Sequence, residues 1–168
     1  LEIHSSHLHG SLPPSLCSLV NLLDLYLHDN DFTGTFPDCL TTSFPHLQAL
    51  FLHNNNLDGT LPEKWTLLSL ISVTMSNNRR LHRYLPPSLF LQPSPLSLRT
   101  VVIEGTAIKR SLPPELCQAR HLQTLALSWN QLSGSLPSCL TSLQSLVSFR
   151  AASNELSGHL PAALANMS

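Results

Sequence analysis

The stretch 125–137, LALSWNQLSGSLP, sets Leu at 125, 127, 132 and 136, with Asn130 and Gly134 between them and Pro137 at the close. The same frame recurs at 25–37 (LYLHDNDFTGTFP), 50–62 (LFLHNNNLDGTLP) and 149–161 (FRAASNELSGHLP). The closing prolines stand at 13, 37, 62, 86, 113, 137 and 161, so the intervals are 24, 25, 24, 27, 24 and 24. A fixed period of this length marks a solenoid, whose units cannot bury their apolar faces alone and must stack on one another.

Each column has a physical task. Leu-x-Leu is a short strand with alternating faces, starting at Leu1, Leu25, Leu50, Val73, Val101, Leu125 and Phe149. Successive strands are expected to stack as a parallel sheet lining the concave side. The Asn column (Asn30, Asn55, Asn78, Asn130, Asn154) is expected to satisfy turn backbone that a buried bend leaves unpaired. Ser6 and Thr106 replace it in two rungs and should weaken the ladder there. Gly10, Gly34, Gly59, Gly134 and Gly158 share one position, where crowding or positive φ favours Gly, yet Arg83 and Arg110 occupy it in two adjacent rungs. Each Pro opens a short helical or 3₁₀ turn on the convex side. The Leu residues every third position after it, such as Leu16, Leu19 and Leu22, should point inward. Residues 90–98, with Pro93 and Pro95, read as a convex bulge carrying three extra residues, the alternative being an exposed apolar contact loop.

These repeats resemble the plant-type extracellular leucine-rich repeat, LxxLxLxxNxLxGxLP, which is also found in surface proteins of some protists. The resemblance spans essentially the whole chain. It implies an α/β solenoid of about seven turns of 24 residues, read as one domain over 1–168 and as a segment of a longer array. It also implies the company of receptors, receptor-like proteins, secreted enzyme inhibitors and surface antigens.

Composition narrows the classes further. Of 168 residues, 37 are Leu, and only 11% are charged. The net charge of −1 gives no reason to expect a nucleic-acid partner. No apolar run is long enough for a transmembrane helix. There is no GxSxG, HExxH, P-loop, GxGxxG or CxxC, and Ser, His and Asp sit on repeat columns without a unique constellation, so no enzyme activity, cofactor or metal is expected.

Cys17 and Cys39 lie 22 residues apart, as do Cys117 and Cys139. Both pairs fall on adjacent convex turns, within reach of disulfides if the thiols face each other; four buried free thiols are the alternative. Disulfides imply an extracellular or cell-surface setting. Asn166-Met167-Ser168 is an N-glycosylation sequon that agrees with it.

The outward strand positions define candidate partner-binding residues. One column runs Glu2, Tyr26, Phe51, Thr74, Val102, Ala126, Arg150. The next runs His4, His28, His53, Ser76, Glu104, Ser128, Ala152, and the third includes Trp129. Tyr26, Phe51 and Trp129 are suitable anchors for a protein or glycan, with His28, His53 and Arg150 beside them, although Trp129 could equally pack sideways against a neighbouring rung. Stacked histidines also suit a pH-sensitive contact or a metal. Charge is segregated: residues 1–63 carry seven acidic and no basic residues, and 64–168 carry nine basic and three acidic. Arg79, Arg80, Arg83, Lys109 and Arg110 form a candidate basic patch. The leading expectation is a non-enzymatic extracellular module recognising a protein or glycan on its concave face. The alternatives are a structural segment assembling head to tail, acidic end against basic end, and a secreted inhibitor of a wall-degrading enzyme.

Overall fold

A computed structural model describes residues 1–91 and 98–161. Six short strands, Asp24–Tyr26, Ala49–Phe51, Ser72–Thr74, Thr100–Val102, Thr124–Ala126 and Ser148–Arg150, form one parallel sheet. The register aligns Leu25, Leu50, Val73, Val101, Leu125 and Phe149 on successive rungs. The first rung joins by a single bridge, Glu2 to Tyr26. The strands begin one residue before the positions expected from the repeat, because the residue ahead of the inward Leu already pairs. The inward Leu is flanked by outward residues on both sides, as period-2 alternation requires.

A second parallel sheet was not anticipated. Its seven strands are His9–Ser11, Asp31–Gly34, Asn56–Thr60, Arg80–Arg83, Ala107–Arg110, Gln131–Gly134 and Glu155–Leu156. They correspond to the N-x-L-x-G stretch, where each of the five interior strands buries a single side chain (Phe32, Leu57, Leu81, Ile108 and Leu132) and the two outer strands bury none. One inward apolar residue is too short a period-2 signal to announce a strand from sequence. Short 3₁₀ turns at Pro14–Ser18, Asp38–Thr41, Pro87–Leu89, Pro114–Gln118 and Ser138–Ser142 complete the convex side, each following an extended Pro.

The core is a stack of Leu-rich layers: Leu25, Leu50, Val73, Val101 and Leu125 from the first sheet, and Leu40, Leu89, Leu116 and Leu140 from the 3₁₀ turns, are all fully buried. Leu19 corrects the expectation that every third Leu points inward. It is 45% exposed, whereas its repeat equivalents Ala119 and Leu143 are buried. Among the described residues its turn, Pro14–Ser18, has a neighbouring turn on one side only. Of the bulge expected over 90–98, Phe90 and Leu98 are buried; residues 92–97 lie outside the described residues.

The Asn column closes the turns. Asn55 accepts from Phe32 N at 3.0 Å and donates to the carbonyls of Leu27, Leu52 and His53 at 3.0, 3.1 and 3.3 Å. Asn78 repeats this with Leu57 N at 3.0 Å and the carbonyls of Leu52, Met75 and Ser76 at 2.9, 3.0 and 3.4 Å. Thr106 is not a plain break in the ladder, because its hydroxyl donates to Asn130 Oδ1. Cys17 is joined to Cys39, and Cys117 to Cys139, with Cα atoms 5.9 and 5.6 Å apart. Each disulfide bridges two consecutive 3₁₀ turns. No helix among the described residues is long and apolar enough to cross a membrane.

Candidate functional site: the outward columns of the concave sheet

Side chains two apart on a strand share a face, and parallel in-register pairing brings the same repeat position of each rung into contact. That rule builds a cluster on the first three rungs. Tyr26 and Phe51 stack with ring centroids 4.8 Å apart. Beside them His4 lies against His28, and His28 against His53, each pair at 4.4 Å and nearly parallel. The two columns touch edge-on: Tyr26–His28 at 6.2 Å and His28–Phe51 at 6.1 Å. His53 Nδ1 shares a 2.8 Å hydrogen bond with Thr74 Oγ1. His28 Nδ1 is enclosed and has no hydrogen-bond partner among the described residues.

The third column adds a polar ladder. Asn54 donates to Asp29 Oδ1, and Asn77 to Asn54 Oδ1, both at 2.6 Å. Asp29 Oδ2 stands 3.8 Å from His28 Nε2. Burial, and then the neighbouring His4, hold His28 below the ordinary imidazole range, and Asp29 only partly opposes them. Burial, and then His28, lower His53 in the same way. The column therefore favours neutral, stacked imidazoles. His28, Asp29 and His53 bring one ligand atom each within 4.8 Å of one another. With the rings nearly parallel, their in-plane lone pairs run side by side and do not converge on one point.

Of the partner-binding candidates, Tyr26, His28, Phe51 and His53 come together. Trp129 and Arg150 do not join them; Trp129 lies three rungs beyond Phe51, about 14 Å away at the strand spacing. Trp129 is 68% exposed and does not pack sideways into the solenoid. Asn166 lies outside the described residues.

The basic patch is partly assembled. The Arg83 and Arg110 guanidinium groups each lie 5.2 Å from the Tyr84 ring centroid. Glu63 takes a 2.8 Å hydrogen bond from Tyr84 and a 3.2 Å ion pair from Arg83, and the first of these raises the Tyr84 hydroxyl above its usual range. Arg83 and Arg110 hold the Gly position at φ 87° and 72°. The part played by Glu63 and Tyr84 was not foreseen. Its signal was their place one repeat apart around Pro62 and Pro86.

Stacked parallel rungs, an Asn ladder, 3₁₀ turns after each Pro and cystine-joined convex turns together define an extracellular leucine-rich-repeat solenoid. The leucine-rich repeat family pattern matches residues 21–43, 46–68 and 121–143. The chain is a plant-type extracellular leucine-rich-repeat protein. Over 42 residues it is 50% identical to an inactive leucine-rich repeat receptor-like serine/threonine-protein kinase of Arabidopsis thaliana, a match covering 25% of this chain and 6% of that protein. Among solved structures it is similar to the ectodomain of the Arabidopsis thaliana receptor kinase GASSHO1/SCHENGEN3, crystallised with CASPARIAN STRIP INTEGRITY FACTOR 2. That match has 30% identity and a TM-score of 0.89, over 98% of this chain and 19% of the other. It is also similar to the Arabidopsis HAESA ectodomain, crystallised with an IDA peptide hormone ligand, at 26% identity and a TM-score of 0.74, over 99% of this chain and 31% of the other. The chain thus spans a fifth to a third of the receptor ectodomains it resembles.

Proposed function

We propose that the chain is a non-enzymatic recognition module, part of a longer repeat array, whose concave face takes an extended protein segment. The observation that carries this is the pair of touching columns Tyr26–Phe51 and His4–His28–His53. A face built for solubility alone would set small polar residues there, as the chain itself does with Ser76 and Ser128 on later rungs. Aromatic side chains supply large contact area with few torsions to immobilise, which is why they dominate binding hot spots. The Asp29–Asn54–Asn77 ladder beside them offers hydrogen bonds to a backbone lying along the solenoid axis. The two ectodomains, each crystallised with a bound ligand, support a ligand-binding role for an array of this kind.

The test is selection of a displayed random-peptide library on the immobilised chain, repeated with the Tyr26→Ala/Phe51→Ala variant. Enriched sequences that bind the parent and lose at least about tenfold in affinity on the variant are expected. No enrichment, or equal binding to both, rejects the concave cluster.

A second reading, head-to-tail assembly, is favoured by charge segregation, because position along a solenoid is position in space: −7 over 1–63 against +6 over 64–168. Sedimentation velocity at low salt should then show species growing with concentration and collapsing to monomer as salt rises. A monomer throughout removes this reading.

A further inference from the structure

We propose that the cleft around Trp129 and Gly105 is a separate subsite for an uncharged, equatorially substituted β-linked pyranose ring.

The first observation is conformational. One repeat position, just after the first-sheet strand, is left-handed in every rung: Ser5, Asp29, Asn54, Asn77, Gly105, Trp129 and Ser153 have φ between 51° and 62°. Short polar residues and Gly adopt this conformation at little cost, whereas a bulky side chain there is a genuine outlier. Trp129 pays that strain without the return of core burial, since 68% of it is exposed. Strain kept at an exposed aromatic points to use rather than to packing.

The second observation is the space beside it. On the preceding rung Gly105 has no side chain, and one carbon added there would come within 2.7 Å of Asn77 Oδ1. Gly105 thus lets Asn77 Oδ1, at the end of the Asp29–Asn54–Asn77 ladder, lie against its backbone, where any side chain would displace it. The indole is the far wall of a cleft of about 540 Å³, inside the ~300–1,000 Å³ range of small-ligand sites. Its polar lining comes from Asn77, Arg79, Glu104 and Gln131. Ser76 Oγ fixes the backbone of Glu104 by accepting from its N–H at 2.9 Å.

The chemistry of the lining selects the ligand. A lone aromatic wall with Ala107 as its one apolar companion in the lining offers no pocket for a hydrophobic side chain. A β-pyranose presents a flat C–H face to an indole and a rim of hydroxyls in the ring plane. Planar Asn, Gln, Glu and Arg groups satisfy such hydroxyls in pairs, as donor and acceptor together. Arg79 and Glu104 balance in charge, so the site gives no preference to a charged sugar. This inference shares with the proposed function the view that the concave face recognises ligands, and Asn77 belongs to both, but it rests on Trp129 and Glu104 rather than on Tyr26 and Phe51, which lets each fail alone.

The experiment is titration of the intact chain with cellopentaose and, separately, chitopentaose, followed by tryptophan emission and checked by isothermal calorimetry. The other indole, Trp65, is buried and bonded to the Pro62 carbonyl, so a ligand-induced shift reports Trp129. A saturable shift with a dissociation constant on the order of 1 mM is expected. Trp129→Ala should remove both the shift and the heat. Glu104→Gln, which keeps the shape of the side chain, should weaken binding about three- to tenfold. The Tyr26→Ala/Phe51→Ala variant should bind as the parent does. Binding of both sugars assigns the pyranose ring itself, and binding of chitopentaose alone adds an acetamido contact. No saturable response to either sugar up to about 20 mM, or calorimetric binding that survives Trp129→Ala undiminished, overturns the proposal.

Discussion

His28 and His53 stack with their ring centroids 4.4 Å apart and their planes 14° from parallel. Both are held below the ordinary imidazole pKa, first by burial and then by a neighbouring imidazole. A base whose folded pKa is depressed leaves the unfolded chain binding more protons below the ordinary value of about 6.5, so stability rises with pH there. The stacked column should therefore be at full strength above about pH 6.5 and lose stability as pH falls below it. Urea midpoints measured from pH 7.5 to 5 should decline across that window, and the decline should shrink in His28→Gln. An unchanged profile in that variant would place the titration elsewhere.

Asn78 is fully buried and makes four hydrogen bonds to main chain on its own and the preceding rung. Asn78→Ala leaves Leu57 N and several carbonyls unpaired inside the solenoid, which should cost about 2–4 kcal/mol. Asn154, in a half-exposed position on the last complete rung, bonds Leu132 N at 2.9 Å and should cost clearly less. Chemical denaturation of the two variants gives the comparison; equal losses would contradict it.

Gly59 sits at φ 80°, and an added Cβ would lie 2.9 Å from Thr35 Cγ2. Gly59→Ala should destabilise by about 1–2 kcal/mol from the left-handed backbone, before any shift of Thr35. Arg83→Gly at the same repeat position relieves that strain, gives up about 0.5–1 kcal/mol of cation–π attraction, and adds about 0.5–1 kcal/mol of unfolded-chain entropy. The three nearly cancel, so its melting temperature should stay within a few degrees of the parent.

The loop closed between Cys17 and Cys39 spans 22 residues, as does that between Cys117 and Cys139. Removing either by a double Cys→Ser replacement should cost about 3 kcal/mol in the chain-entropy account. Differential scanning calorimetry with and without reductant should show the reduced parent, which loses both bridges, falling below either double variant.

What the sequence made legible was whatever the repeat writes many times. The inward Leu positions, the Asn column and the left-handed Gly column are each fixed by a constraint that recurs every rung. The cysteine spacing likewise placed both partners on neighbouring turns. The second sheet escaped because its strands bury at most one side chain each, and Leu19 was misplaced because a periodic rule does not say which turns are covered on both sides. The cluster was half visible. The columns that hold Tyr26, Phe51 and the histidines follow from register alone. The link from Glu63 through Tyr84 to Arg83 and Arg110 depends on rotamers, which no period encodes. Trp129 stood on a known column, but its exposure depended on whether the neighbouring rung offered a surface, and Gly105 does not.

The positions of the two disulfides have a mechanical consequence. They clamp two pairs of neighbouring turns and leave the rungs between Cys39 and Cys117 without a covalent tie. A stack of nearest-neighbour units ordinarily peels from its termini. Here tension applied along the chain would meet a covalent stop at each bridged pair of turns. The interior, carrying the irregular spacing around Pro62 and Pro86, should yield as its own step. Its 77 intervening residues would release up to about 260 Å of slack.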